Sequence, residues 1–268
     1  MEQFGLWVAW DGRPRLPRRI EAPAGIFDVS DSYKIVVVAA LQREISPLVR
    51  DWRVVRREHE GRAFSFFESD SAVAVCGGIG SEAARRAAEA AVALHKPQVL
   101  LSVGFAGALD QQLKVGQVFW PRVVIDATDG SRTQAASGQG ILVSFTSVAH
   151  SGQKARLAAA YGAQAVDMEA ASVARTARAY GIAFAAVKAI SDEASFEMPD
   201  MNRFVTTDGQ FRSAALAAFA AVRPWLWPGL IGLRKNSAKA SRALCVELER
   251  YLQKAGQPAV PKLQAAQG

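Results

Sequence analysis

The stretch AVDMEAASVA, Ala165 to Ala174, sets Asp167 and Glu169 on either side of Met168, where an apolar run gives way to small residues that favour a helix. Helix capping accounts for such a pair in one way: Asp167 as the N-cap, with Glu169 at the positive end of the helix dipole. Chemistry accounts for it in another, because paired carboxylates at a strand-to-helix junction can serve a reaction. Two further acids stand in comparable places. Asp192 follows the apolar run IAFAAVKAIS, and Glu44 opens the short segment REISPLVR after KIVVVAA.

The elements that must position these acids read as follows. KIVVVAA (34–40), QVLLSVGFAGAL and IAFAAVKAIS are continuous apolar runs rich in β-branched residues, the pattern of strands buried on both faces. AFSFFES and SAVAVCG read as a strand pair, and QVFWPRVVI is strand-like. REISPLVR reads as a short helix with Pro47 near its first turn, where proline is tolerated. Ser81 reads as the cap of a long helix through His95, Gly162 closes a helix over SGQKARLAAAYG, and the opening motif starts another through Tyr180. A helix from about Asp208 to Val222 ends the core. Buried strands alternating with helices predict a single three-layer α/β/α domain on a mostly parallel mixed sheet. Ligands in such folds sit beyond the carboxyl ends of the strands. If the sheet is parallel, AALQRE, CGGIGS, SVGFAGALD, VDMEA and AISDE converge on one rim.

The chain has 268 residues, half of them hydrophobic, and a formal net charge of +7. That length supports one well-buried core. The expected layout is an irregular leader over 1–31 with three prolines and four arginines, an α/β domain over 32–223, and a Trp-rich then basic helical extension over 224–268. Two cysteines and three scattered histidines make neither a disulfide framework nor a metal-ligand spacing, so no metal is expected and a reducing compartment fits. MEQFGLWVAW lacks a basic n-region, and no apolar run approaches the ~20 residues of a spanning helix. The basic excess lies largely in 223–262 and accompanies no nucleic-acid-binding fingerprint. The expected place is the cytoplasm. The sequence from Trp225 to Leu233 followed by Arg234, Lys235, Lys239 and Arg242 reads either as core packing with a solvated face or as an element at the inner face of a membrane.

Taken in order, KIVVVAALQREI, GGIG, VGFAGALDQQLKVGQVF, AVDMEAASVA and AFAAVKAISDEA resemble the nucleoside phosphorylase/nucleosidase superfamily, closest to its 5′-methylthioadenosine/S-adenosylhomocysteine nucleosidase branch. The resemblance runs from about Lys34 to Val222. It implies cleavage of the N-glycosidic bond of a 5′-substituted adenine nucleoside through an oxocarbenium-like ribose. It implies that Asp192 is the general acid toward adenine N7, with Ser191 orienting it; a carboxyl desolvated at an apolar strand end suits that task. Glu169 would accept the ribose hydroxyls and face the developing cation, kept ionised by the helix N-terminus. Met168 would pack on the ribose, and Glu44 would activate the attacking water. Asp167 departs from the more usual glutamate and is assigned to capping and support.

Gly80, Gly104, Ala106 and Gly107 are expected to let backbone approach the sugar. Phe105, where small hydroxyl residues are common, would narrow the site or make it more apolar. Ser147 and Val148 are candidate base contacts at the end of Asp126–Ser147, a segment that looks short. With no arginine in SVGFAG and a carboxylate at position 44, hydrolysis is favoured and no cofactor is expected. Phosphorolysis, with inorganic phosphate held by Arg43 or Arg122, is the alternative. A hopanoid-associated branch that acts on adenosine joined to a triterpenoid is also similar, and would suit the tail and Phe105. A non-catalytic nucleoside-binding protein is the remaining alternative. A homodimer is the expected assembly.

Overall fold

The computed structural model describes residues 35–197, 201–206 and 208–256; the expected leader over 1–31 and residues 257–268 lie outside them. One mixed sheet of eleven strands carries the chain. Its path runs β2 (Arg53–His59), β3 (Arg62–Glu68), β4 (Ala72–Cys76), β1 (Ile35–Ala39), β5 (Val99–Ala108), β10 (Ala165–Asp167), β9 (Ile141–Ser144), β7 (Val123–Asp126), β8 (Arg132–Gln134). β11 (Ala183–Asp192) also pairs with β5, and β6 (Val118–Phe119) pairs with β11. The central strands β4, β1, β5 and β11 are parallel, as expected of apolar strands covered on both faces.

Alternation along β1 assigns the two faces. Val36 and Val38 join the core beneath α2 (Ser81–His95) and α4 (Ala170–Ala179), while Ile35, Val37 and Ala39 join the core beneath α1 (Gln42–Val49) and α6 (Trp227–Gly256). The alanines of α2 bring that helix close: Ala84, Ala87, Ala88 and Ala91 are buried against the sheet. α3 (Ser151–Tyr161) covers a third, smaller core around Ile125 and Val143, and ends at Gly162 with φ +62°. The three-layer α/β/α expectation matches this arrangement.

Several local expectations are corrected. Ser81 does not cap α2: it is the first helical residue, and Gly80 is the N-cap without a side-chain bond. Pro47 lies beyond the first turn of α1, whose helix begins at Gln42 rather than Arg43. The charged hairpin strand β2 has no apolar periodicity, and its pairing with β3 is what makes it a strand. QVFWPRVVI divides at Trp120-Pro121 into β6 and β7, since proline cannot donate to a ladder.

The rim is not built as a purely parallel sheet would build it. β5 overruns its neighbours: Ala39, the last residue of β1, pairs with Val103, and five residues of β5 continue beyond it. β10 runs antiparallel to that overhang, pairing Ala165 with Ala108 and Val166 with Gly107. The chain therefore returns toward the rim, and Asp167 ends within reach of Lys188 on β11.

The C-terminal extension also differs from the expected layout. Ala240, Leu244, Cys245, Leu248 and Leu252 of α6 are buried in the same core as β1 and α1, so the boundary at 223/224 separates no structural unit. Ser241 Oγ donates to the carbonyl of Glu44 at 3.0 Å, tying α6 to α1. Leu248→Ala should accordingly lower stability by about 2–5 kcal/mol, read as a shifted urea midpoint at unchanged slope. A change below about 0.5 kcal/mol would place α6 outside the core.

Candidate active site

Glu44 follows directly from the end of β1. At the third position of α1 its Oε2 accepts the N–H groups of Ala40 (3.2 Å) and Leu41 (3.1 Å). The side chain is buried, and burial raises its pKa against the opposing pull of the Leu41 N–H and Lys188. Gly104 leaves it room: a Cβ there would lie 3.1 Å from Glu44 Oε2.

The VDMEA segment builds a network around Asp167. Oδ1 accepts from Ser144 Oγ at 2.5 Å, and Oδ2 accepts from the N–H of Ala170 at 2.9 Å, at the first turn of α4. Lys188 Nζ, in the middle of β11, pairs with Oδ2 at 2.9 Å and donates to Ser102 Oγ at 3.1 Å. Burial works against the charge on Lys188, but Asp167, Glu169 and Glu44 outweigh it, and its pKa is raised.

Glu169 occupies the N-cap position of α4 yet makes no capping bond with its side chain. Its Oε1 accepts from the N–H of Gly80 at 2.7 Å, across from α2. Gly80 adopts φ +95°, a conformation that suits glycine, so its part is to aim an N–H at this carboxylate. Burial and then the neighbouring Asp167 charge push Glu169 up to about 7, against Lys188 and the Gly80 N–H. Burial, not the helix N-terminus expected to keep it ionised, is the largest influence on this group.

Asp192 closes β11. Lys154, from α3, forms an ion pair with Oδ2 and donates to the Glu193 carbonyl at 2.8 Å. Ser191 Oγ donates to Asp192 Oδ1 at 2.7 Å. The Ser191 hydroxyl was expected at Asp192; the Lys154 ammonium on its other oxygen was not. Gly107 makes the approach possible, since a Cβ there would lie 2.9 Å from Asp192 Oδ2 and 3.2 Å from Lys154 Cε. Gly104 and Gly107 therefore make room for the two acids.

Glu44, Asp167, Glu169, Lys154 and Asp192 line one cavity of about 760 Å³. Met168, Ser191, Phe105, Ala106, Gly107, Ser147 and Val148 line it too; Gly80 and Gly104 stand behind, against Glu169 and Glu44. Of the segment Asp126–Ser147, only Ser147 reaches the cavity; the rest runs through the edge strand β8 and then β9, which lies inside the sheet between β10 and β7. Asn202 fixes that wall by accepting from the N–H of Val148 at 2.9 Å. Arg43 lines the cavity with its guanidinium 5.2 Å from the Phe211 ring centre; Arg122 does not, and donates to the Ala135 carbonyl instead. The Cys76 thiol is pushed up to about 12 by burial and by Glu44, which disqualifies it as a nucleophile. Among the described residues no cluster of His, Cys, Asp and Glu is placed to hold a metal ion.

Lys154, Lys188 and the α5–α6 wall are absent from the expected site. Lys188 carried a readable signal, a lone cation inside an otherwise apolar strand. Lys154 carried none, since one lysine among the surface positions of a helix is ordinary.

The sequence matches the phosphorylase superfamily over residues 34–150 and 132–223. The chain belongs to that superfamily. Compared by sequence with curated proteins it matches none. Solved structures of the superfamily share its fold. A 5′-methylthioadenosine/S-adenosyl homocysteine nucleosidase from Helicobacter pylori superposes with a TM-score of 0.63 at 17% identity, over 84% of this chain and 99% of that one. The 5′-methylthioadenosine nucleosidase of Arabidopsis thaliana gives 0.65 at 19%, over 85% and 97%. Futalosine hydrolase of Helicobacter pylori gives 0.59 at 18%, over 81% and 98%.

Two outcomes test the electrostatics of this superfamily member. Folded Glu169 keeps its proton to about pH 7, whereas its ordinary value is 4.5. The folded state therefore binds more protons between these values, and stability falls as pH rises through them. Glu169→Gln removes that loss, so from pH 5 to 8 the variant should lose less stability than wild type, by about 2 kcal/mol in urea titrations. Equal slopes would refute the shift. Lys154→Met should cost about 3–5 kcal/mol, because it strands Asp192 in the interior without its partner; a neutral result would mean water replaces the ammonium.

Proposed function

We propose that the chain hydrolyses the N-glycosidic bond of a 5′-substituted adenine nucleoside and releases adenine. The observation that carries this reading is the convergence of Glu44, Glu169 and Asp192 on one cavity at the strand ends. In the proposed reaction Asp192 gives a proton to N7 as the C1′–N9 bond breaks and its electron pair leaves with the base. Lys154 and Ser191 hold Asp192 in place. Glu169 binds the ribose hydroxyls, and its affinity for charge grows as the sugar becomes cationic. A carboxyl near neutrality contributes more to that transition state than to the ground state. Met168 packs on the sugar, and Glu44 takes a proton from the water that attacks C1′.

Water is favoured over phosphate because the backbone donors beside the nucleophile position are already engaged. Glu44 takes the N–H groups of Ala40 and Leu41, and Glu169 takes that of Gly80. The second reading is phosphorolysis, with inorganic phosphate as co-substrate; Arg43, Arg234 and Arg242 in the cavity wall favour it. The 5′ group would extend along an apolar arm formed by Met201, Val205, Phe211, Leu216, Leu230 and Leu233. That arm suits a large apolar substituent, including the lipid-linked adenosine of the hopanoid-associated branch. The reading includes a homodimer, a cytoplasmic location and contact with the inner face of a membrane through 224–242.

Adenine release from 5′-methylthioadenosine and longer 5′-thioalkyl adenosines in phosphate-free buffer tests the reaction. Release should proceed without phosphate, and Asp192→Asn should lower kcat by about 10²–10⁴ with the fold intact. Strict dependence on phosphate would replace hydrolysis by phosphorolysis. Full activity in Asp192→Asn would remove Asp192 from the chemistry.

A further inference from the structure

Four of the eight large hydrophobic side chains exposed among the described residues fall within ten positions: Val222, Trp225, Trp227 and Ile231. Trp225 is 71% exposed. They surround the elbow where α5 (Ser213–Ala221) meets the helical stretch Pro224–Ala255 at 119°. Trp227 Nε1 donates to the Ala220 carbonyl at 2.9 Å, and the Arg223 guanidinium lies 3.8 Å from the centre of the Phe219 ring. The elbow is therefore braced, and its apolar residues point outward from a fixed corner.

The charge around it is one-sided. Between Asp208 and Glu247 the sequence has no acidic residue, but it has Arg212, Arg223, Arg234, Lys235, Lys239 and Arg242. A two-fold contact between copies at the elbow would bring two such sets face to face, and like charges oppose that. An anionic surface is attracted instead. Tryptophan beside Lys and Arg suits the boundary between headgroups and acyl chains. No single helix here is long and apolar enough to cross a bilayer; the bent pair Ser213–Ala221 and Pro224–Ala255 is so only by length and composition together. Its second half is packed in the core through Ala240, Leu244, Leu248 and Leu252, so the element would lie on the surface.

We infer that the α5–α6 elbow docks on an anionic lipid bilayer, with Val222, Trp225, Trp227 and Ile231 at the headgroup boundary and Arg223 and Lys235 on the lipid charges, while Arg234 and Arg242 belong to the cavity wall. The inference stands independently of the proposed chemistry. It deepens that reading in one respect: Leu216, Ala220, Leu230 and Leu233 of the same elbow line the cavity, so its inner face is cavity wall and its outer face is docking surface.

Flotation of the full chain with vesicles tests it. Wild type should rise with phosphatidylglycerol/phosphatidylcholine vesicles on the order of tenfold more than with phosphatidylcholine alone, and less at high salt. Trp225→Ser/Ile231→Ser and Lys235→Gln should each reduce flotation. The double variant should keep the wild-type melting temperature and turnover of a soluble adenosine, since neither side chain lines the cavity. Wild type that stays at the bottom at low salt overturns the inference. So does a double variant that floats like wild type. Light scattering supplies a third arm: if the double substitution turns a dimer into a monomer, the patch is a contact between copies and the inference fails. Flotation without adenine release would uphold the docking and refute the proposed reaction.

Discussion

Buried charge is the constraint on which this structure depends. Four carboxylates, those of Glu44, Asp167, Glu169 and Asp192, sit at the ends of strands in a largely apolar rim, and each costs several kcal/mol to desolvate unless it is met by donors or a cation. The compensation is uneven. Asp167 has Lys188, Ser144 and a backbone N–H; Asp192 has Lys154 and Ser191. Glu44 and Glu169 receive only backbone N–H groups directly, with Lys188 at a distance. The first two are held by side-chain partners. The second two are shifted upward, and a carboxyl that gains from ionising only when a positive charge appears beside it is suited to a cationic transition state.

The geometry that permits this follows from the strand ends. β5 outruns β1, so its last residues form a wall above the rim, and β10 descends that wall antiparallel. Two acids press against the wall where it carries no side chain, Glu44 at Gly104 and Asp192 at Gly107. Alanine at position 107 would demand that the ion pair of Asp192 and Lys154 shift. The glycines of GFAGAL thus serve packing and electrostatics together.

Much of this was legible in the sequence. Short apolar runs rich in β-branched residues, such as KIVVVAA, read as buried strands, and the polar residues that terminate them mark the rim. The acids were legible because each ends an apolar run. Their partners were not: Lys154 is brought to Asp192 by the docking of α3, a contact 38 positions apart along the chain. The Asp167 environment likewise needed β9 to bring Ser144 alongside, and the pairing of β10 with β5 could not be read from three residues of strand. The role of Glu169 was misjudged in its electrostatics, because helix position is visible in a sequence and desolvation is not.

α6 shows why the chain beyond residue 223 cannot be treated as an appendage. Its C-terminal half supplies Leu244 and Leu248 to the core under β1. Its middle holds the carbonyl of Glu44 through Ser241, and so helps to fix the helix that carries the proposed general base. Its N-terminal part lines the cavity through Leu230 and Leu233 and exposes Trp227 and Ile231 outward. One continuous helix therefore links core, acid and surface.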